Sequence, residues 1–403
     1  MSETARGASA LSVLMFCANF FPRVGGAERQ AGKLAAALVA KGCRVRVLTE
    51  HLEPDVPSDE VRHGFEIRRL PFFGVARPAW AGPLSGVMNV GRVALTLSRE
   101  LRREMIGFDV LHVHLVGLLG AAVVRAASAV GTPVVCKIGS SGAGADFLRI
   151  TGNSYVDRWV NHVYHAGVDR WIATTDAVRD SMLDARIPLD RIVKIPNGVD
   201  VLPARTSRSA IGARRFLYLG RLSRESDRDY DTLLSAFSRL AERNPEIELA
   251  LVGGGNLSQS LRDAARRGGY SDRVHFPGEC EPDGWYAWAD CFVLPSRREG
   301  LSNALLEAMA AGVACIANDI PPNRETLAGG DAGQLVSVEE VAALANAMER
   351  LIVDPEMLER LRQAAWDRAK AFYAIESVAA RHIDLYRACR DSRRLSIPGL
   401  SLS

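Results

Sequence analysis

Two glutamates with seven residues between them, Glu299 and Glu307, bracket Gly300-Leu301-Ser302-Asn303-Ala304-Leu305-Leu306, and the chain runs on as Ala308-Met309-Ala310-Ala311-Gly312. A strand-like run, Cys291 to Leu294, enters a Pro-Ser-Arg-Arg turn, and the pattern predicts a helix from about Ser302. Ser302 suits an N-cap. Gly300 lets the backbone approach a ligand, and the unpaired amides of a first helical turn can hold phosphate oxygens. Glu307 falls more than a turn inside a helix otherwise made of Ala, Leu and Met. A carboxylate there is costly unless something donates to it, and a ribose diol donates two hydrogen bonds. Glu299, ahead of the helix, can reach a sugar's hydroxyls. The bland alternative is an ordinary strand-turn-helix with two solvated glutamates, and spacing alone does not decide between them. A glycosidase-like acid/base pair fits poorly, because residues across one turn face a ligand side by side rather than flank a bond.

Such a segment needs a strand to aim it and a sheet to hold the strand. Short apolar runs alternate with longer amphipathic ones throughout. Strands are predicted at Leu11 to Phe16, Arg44 to Thr49, Val110 to His114, Pro133 to Ile138, Arg170 to Ala173 and Ile192 to Ile195, with a first helix over Ala27 to Lys41. A polar stretch, Pro203 to Arg215, reads as a linker. The alternation restarts with strands at Phe216 to Leu219, Glu248 to Val252, Val274 to Phe276, Cys291 to Leu294 and Ala314 to Ala317, and a helix over Asp231 to Arg243. Helices over Val338 to Ile352, Pro355 to Phe372 and Ser377 to Cys389 close the chain. The class is α/β: two Rossmann-like, doubly wound parallel sheets, with ligands expected beyond the strands' carboxyl ends.

Composition removes several function classes. The 403 residues, 48% hydrophobic and 24% charged, are ordinary for a globular chain, not a disordered or fibrous one. With 50 basic against 47 acidic residues the net charge is +3, so polyanion binding is not the default, and nothing resembles a nucleic-acid module. The seven cysteines are scattered and never spaced Cys-x-x-Cys, which predicts neither a disulfide framework nor a zinc site and favours a reducing, cytoplasmic compartment. The apolar start, Ala8 to Phe21, lacks a basic flank and a small-residue cleavage pattern, so it reads as a buried first strand rather than a signal peptide. No run reaches the roughly 20 apolar residues of a membrane span.

The segment Glu299-Gly300-Leu301-Ser302-Asn303-Ala304-Leu305-Leu306-Glu307-Ala308-Met309-Ala310 resembles the signature of the retaining GT-B glycosyltransferases of family 4, the glycosyl transferases group 1. Other pieces fall in the family's order. They are Gly25-Gly26-Ala27-Glu28, Ile195-Pro196-Asn197-Gly198-Val199-Asp200, Leu219-Gly220-Arg221-Leu222-Ser223, Leu251-Val252-Gly253-Gly254-Gly255 and Val274-His275-Phe276-Pro277-Gly278. The resemblance implies the GT-B fold, two Rossmann-like domains facing a central cleft. Residues 1–202 would form the acceptor-side domain, with a C-terminal helix at about 376–395 packing back on it, and 203–375 the nucleotide-sugar domain. It also implies roles. Glu307 would hold the donor's ribose and Glu299 the transferred sugar. The amides of Gly300, Leu301, Ser302 and Asn303 would take phosphate or sugar oxygens, and Arg221 would neutralise the departing diphosphate. Gly25 and Gly26 would bring backbone up to the donor, and Asn197 belongs to the same donor-binding set.

The chain departs from the family where Lys-Gly usually follows Gly-Arg-Leu. Counting back from Asp231-Thr232-Leu233-Leu234 puts Arg228 at the lysine and Asp229 at the glycine, about two residues being inserted upstream. Arginine keeps the charge and adds a planar fork suited to phosphate. The overlapping Asp227-Arg228-Asp229 and Asp229-Tyr230-Asp231 mimic a metal-holding Asp-x-Asp, but three-residue matches are common by chance, and the arginines are the better carriers of the leaving group. His112 and His114 end one predicted strand on the same face; His114 matches a histidine that the family places against the transferred sugar, whereas a strand histidine is otherwise a satisfied core residue. After the next strand, Lys137 leads into Gly139-Ser140-Ser141-Gly142-Ala143-Gly144, a candidate acceptor contact or a plain loop. Arg68-Arg69-Leu70-Pro71-Phe72-Phe73 through Trp80, and Arg99 to Arg103, could rest peripherally on the inner, anionic membrane face beside a lipid-linked acceptor; a solvated helix and loop is the plainer alternative.

The expected activity is therefore metal-independent hexosyl transfer from a nucleotide diphosphate sugar to an acceptor hydroxyl. The acceptor would be a saccharide, a lipid-linked sugar or a small molecule, in bacterial polysaccharide, glycolipid or glycoconjugate synthesis. No other cofactor is implied. The alternative is a non-catalytic nucleotide-sugar-binding GT-B subunit that supports a partner transferase. An NAD-dependent enzyme is disfavoured because no Gly-x-Gly-x-x-Gly opens either half with an acid about 20 positions on.

Overall fold

The apolar runs become strands buried on both faces, as a parallel sheet between helices requires. The structure is a computed structural model, which describes residues 10–22, 25–51, 53–70, 99–140, 154–203, 212–224, 227–337 and 339–395. Two compact units divide the chain. One takes the residues up to Thr174, Val178–Gly198 and the chain from Ile375; the other takes Thr175–Ala177 and Val199–Ala374.

The first unit contains β1 (Ser12–Cys17), β2 (Arg44–Glu50), β3 (Asp59–Arg62), β4 (Phe65–Leu70), β5 (Val110–His114), β6 (Val134–Ile138), β7 (Arg170–Ala173) and β8 (Ile192–Lys194). Their spatial order is β3-β4-β2-β1-β5-β6-β7-β8. All neighbours are parallel except the β3–β4 pair. On one face Val13, Met15, Val47 and Ile172 pack against α1 (Gly26–Ala40) and against Val378, Ile383 and Tyr386 of the chain's last helix. On the other, Leu14, Phe16, Leu111 and Cys136 meet α2 (Leu118–Val130), α3 (Tyr155–Gly167) and α4 (Asp176–Asp184). Each large apolar side chain so buried contributes about 1.5–3 kcal/mol. The apolar start is thus a central strand, 0–4% exposed from Val13 to Cys17.

The second unit holds β9 (Arg215–Leu219), β10 (Glu248–Val252), β11 (Val274–Gly278), β12 (Cys291–Leu294), β13 (Ala314–Asn318) and β14 (Gln334–Val336), in the order β11-β10-β9-β12-β13-β14. Between them run α5 (Tyr230–Ala241), α6 (Ser258–Arg267), α7 (Asp283–Trp288), α8 (Asn303–Ala310) and α9 (Pro321–Thr326). The chain then closes with α10 (Val341–Val353), α11 (Pro355–Arg368) and α12 (Ile375–Leu395). Phe216, Leu249 and Leu251 face Phe237 of α5 and Met348 of α10; Leu217, Ala250 and Phe292 face Leu305 and Met309 of α8. In both sheets the order reverses beside the first strand of the unit, which is where a doubly wound sheet opens for a ligand.

One surface expectation needs correcting. Arg68 and Arg69 lie in β4, not in an irregular loop. Arg69 is 3% exposed, pairs with Glu60 at 2.7 Å and donates to the carbonyls of Phe21 and Pro57. Arg68 pairs with Asp59 and, at 3.6 Å, with Glu104. These two charges are neutralised by the β3–β4 hairpin; residues 71–80 lie outside the described residues. All seven cysteines are free thiols, and all but Cys280 are buried. Among the described residues no helix is long and apolar enough to cross a membrane.

Candidate active site

The second unit builds its site from loops that leave the carboxyl ends of β9, β10 and β12. After β12, the chain from Pro295 to Arg297 pairs with residues 227–229. Asp229 N–H donates to the Pro295 carbonyl and Arg297 N–H to that of Asp227, both at 2.9 Å, and an antiparallel bridge joins Arg228 to Ser296. This pairing sets the Arg228 guanidinium 2.6 Å from the Glu299 carboxylate, the side chains being 20% and 13% exposed. Two residues separated by 71 positions are thereby brought together. Burial works against the charge on Arg228, but Glu299 and the hydroxyls of Tyr218 and Tyr230 outweigh it and raise the guanidinium's pKa, so the cation persists.

The neighbouring acids are committed elsewhere. Asp229 caps α5, accepting from Thr232 N–H at 3.0 Å, and pairs with Arg297 at 2.7 Å. Burial disfavours its ionised form, yet those hydrogen bonds hold the carboxyl below its usual range. Asp227 pairs with Arg298. What this loop sets beside Glu299 is a cation.

Arg221 follows β9, its side chain exposed, while the hydroxyls of Tyr218 and Tyr230 both donate to its carbonyl and fix the backbone. The β9 and β10 loops are laced by backbone bonds: Gly220 N–H to the Val252 carbonyl at 3.0 Å and Leu222 N–H to that of Gly254 at 2.8 Å. At the start of α8, Ser302 caps the helix, its hydroxyl accepting from Leu305 N–H at 3.4 Å. Leu301 is 7% exposed and its side chain belongs to the core, so only its amide can face a ligand. Gly300 precedes it, and Asn303 opens the helix half-buried. Glu307 is half-buried one turn on and accepts from the Tyr286 hydroxyl at 3.1 Å. Tyr286, 3% exposed on α7, also donates to the Ala304 carbonyl at 3.2 Å; nothing in its spacing singled it out.

In the first unit, Gly25 is the N-cap of α1 and Gly26 its first residue. The Glu28 carboxylate accepts from the Gly25 N–H at 2.9 Å, and a Cβ on Gly25 would stand 2.7 Å from it. Asn197 is buried just past β8; beside it the Gly198 carbonyl accepts from Gln30 Nε2 of α1 at 3.0 Å, a tie that sequence reasoning missed. Register places Cys17, His114 and Lys137 in one row across β1, β5 and β6. His112 sits a row below, fully buried, its Nδ1 2.6 Å from the Tyr386 hydroxyl of α12, which makes it a core residue. His114 is 6% exposed, its Nε2 has no hydrogen-bond partner among the described residues, and its ring centroid lies 4.1 Å from that of His112. Burial, Lys137 and His382 hold its pKa well below the usual histidine range, so it is a neutral hydrogen-bonding group. A cavity of about 490 Å³ opens at these strand ends, lined by Glu28, Glu50 and His114 among others.

Lys137 is itself buried, and desolvation pushes its ammonium down to about 8. A lysine depressed in the folded state binds its proton less tightly there than in the unfolded chain. Its cost is greatest below pH 8 and fades as pH climbs toward 10.5. Lys137→Met should therefore raise the unfolding free energy by about 2 kcal/mol at pH 7 and by much less at pH 10, read by urea titration. An equal gain at both pH values would refute the buried charge.

On this two-sheet α/β chain the structure sets a carboxylate pair around a helix start with a guanidinium beside it, and the comparisons supply the family. The family model described as Glycosyltransferase Family 4 matches residues 24–201, and the one described as Glycosyl transferases group 1 matches 213–354. The chain is 27% identical to a glycogen synthase of Mycobacterium tuberculosis over 399 residues, covering 94% of this chain and 95% of that one. It is 28% identical to a phosphatidyl-myo-inositol mannosyltransferase of Mycolicibacterium smegmatis, covering 85% of each. Among solved structures, the sucrose-phosphate synthase of Thermosynechococcus elongatus superposes with a TM-score of 0.73 at 20% identity, over 95% of this chain and all of that one. Anabaena HepE in complex with UDP-glucose gives 0.71 at 18%, over 94% and 100%. The chain belongs to glycosyltransferase family 4 and has the GT-B fold.

Proposed function

We propose that the protein is a retaining transferase that moves a hexose-type sugar from a nucleotide diphosphate sugar to an acceptor hydroxyl without a metal ion. The Arg228–Glu299 pair at the start of α8 carries this assignment. As the bond from C1 to the phosphate oxygen breaks, its electron pair stays on the diphosphate. Arg228, Arg221 and the amides from Gly300 to Asn303 stabilise that charge where it develops. The acceptor oxygen bonds to C1, and its proton passes to the leaving phosphate oxygen. Glu299 orients the sugar's hydroxyls, His114 adds a neutral hydrogen bond, and Glu307, steadied by Tyr286, takes the ribose. The arginines serve in place of a divalent ion, since Asp227 and Asp229 are already held by Arg298 and Arg297. The names of the relatives, a glycogen synthase and an inositol-lipid mannosyltransferase, support sugar transfer in polysaccharide or glycolipid synthesis. A cytoplasmic setting, with or without contact at the inner membrane face, suits such substrates.

A thermal-shift panel over UDP-, GDP-, ADP- and TDP-sugars tests the donor half. One base should stabilise the fold selectively, by about 2.7 kcal/mol at a hundred times its dissociation constant. Glu307→Ala should weaken that shift by about tenfold in ligand concentration. Sugar transfer should persist in EDTA. Silence across the panel, or complete loss of turnover in EDTA, would overturn the assignment; binding without any transfer would favour a non-catalytic subunit.

A further inference from the structure

The hydrogen-bond ladder between β12 and β13 stops at Leu294 and Ala317, and one residue further a side chain takes over from backbone. Asn318 Nδ2 donates to the Ser296 carbonyl at 3.0 Å. The Asn318 carbonyl in turn accepts from Asn323 Nδ2 of α9 at 2.8 Å and from the Ile320 N–H at 2.9 Å. The relay is out of water: Ser296 is 0%, Asn318 8% and Asn323 1% exposed. Ser296 is also the residue that bridges Arg228, between the two backbone bonds that tie Pro295 and Arg297 to residues 227–229. Glu299 follows three positions along the same segment.

A carboxamide suits this place because its NH2 donates to a carbonyl as a peptide N–H does, on a short side chain that burial holds still. A carbonyl left unpaired out of water is costly, so without Asn318 the Ser296 segment must shift toward another donor. The paired backbone carries such a shift into residues 227–229, and Arg228 and Glu299 move with it. A displacement of about 1 Å in a site of this kind costs on the order of 10²-fold in rate. We propose that Asn318, held by Asn323, is a positioning residue for sugar transfer: through the Ser296 carbonyl it sets where Arg228 and Glu299 stand. Its bearing on transfer rests on the roles proposed above for those two residues; its bearing on their placement does not.

Two measurements on the full chain test this. In a urea-unfolding double-mutant cycle, the coupling between Arg228 and Glu299 should change the unfolding constant by roughly fivefold, and by less than about twofold once Asn318 is alanine. Asn318→Ala should also lower kcat by about 10- to 100-fold, with KM moving less than about threefold, for the nucleotide sugar that the thermal-shift panel selects. In an Arg228→Ala background the same change should cost less than about threefold more. Asn323→Ala should repeat the pattern more weakly, and Asn318→Ser, whose hydroxyl is too short to reach, stands in if the alanine variant does not fold. A residue that only holds the sheet together would leave the coupling and kcat of the folded protein alone. An Arg228–Glu299 coupling that is absent at the outset or survives Asn318→Ala, or a kcat loss that adds in full to that of Arg228→Ala, would overturn the inference. If Arg228→Ala turns over like the unmutated chain, or no nucleotide sugar is turned over, the transfer reading falls and the unfolding cycle still decides the placement.

Discussion

Replacing Arg228 with alanine should lower sugar transfer by about 10²- to 10³-fold, with most of the loss in kcat rather than in the KM for donor. Loss of a single pre-placed donor to a developing oxyanion typically costs that much. Charge on the diphosphate is greatest in the transition state, so the lost interaction is one that chemistry, more than binding, depends on. The same substitution takes the Arg228 cation away from Glu299, a carboxylate only 13% exposed. That should cost a further 1–2 kcal/mol or so of folding stability, less than for a fully buried pair. Arg228→Lys should recover part of the rate, because it restores the charge but not the fork. Pairing each variant with Glu299→Ala in a double-mutant cycle separates the two contributions. A strong coupling is expected in both stability and kcat, since each residue positions the other. Near-wild-type turnover in Arg228→Ala would mean that the inserted loop does not serve the leaving group.

Gly253→Ala should destabilise the second unit by about 3 kcal/mol or more, enough to leave little soluble chain. Gly253 follows β10 with φ +137°, a conformation that side chains avoid, and a Cβ there would stand 2.0 Å from the carbonyl oxygen of Gly220. The obstacle is backbone, so no rotamer change relieves it. The neighbouring Gly254 supplies the control. A Cβ at that position meets only the Glu279 side chain, at 3.5 Å, an ordinary contact. Gly254→Ala should therefore be nearly neutral in a chemical unfolding curve. Similar behaviour of the two variants would show that the β9 and β10 loops are not locked together. Because the Gly220–Arg221 turn is one of the two partners, whatever Gly253→Ala protein survives should also bind donor poorly.

Strands buried on both faces were the most legible part of the sequence. Val110–His114, Arg170–Ala173, Glu248–Val252 and Cys291–Leu294 stand where the unbroken apolar runs put them. The β3–β4 hairpin was not legible. Asp59–Arg62 is a polar edge strand with alternate residues exposed, and Arg68 and Arg69 look like surface charges until Asp59, Glu60 and Glu104 are placed beside them. In the site, sequence named Arg228 and Glu299 separately. Their meeting depends on the backbone pairing of residues 227–229 with 295–297, which no periodicity encodes. Tyr286 and Gln30 were missed for a related reason: each acts through hydrogen bonding to partners remote in the chain. Glu50 escaped notice because a glutamate at the end of a strand is usually solvated, and only the cavity beside it says otherwise.

One wall of the first unit is made by its most distant residues. Val378, Ala379, Ile383 and Tyr386 of α12 cover the face that Val13, Met15 and Ile172 present, and Arg393 clasps Asp169 at 3.0 Å. A chain emerging from the ribosome amino end first can pair β1, β2 and β5 early, but it must make the whole second unit before that oily face is covered. Until then the nascent first half carries an uncovered hydrophobic flank, so the outer layer of this sheet waits on translation of the entire second unit.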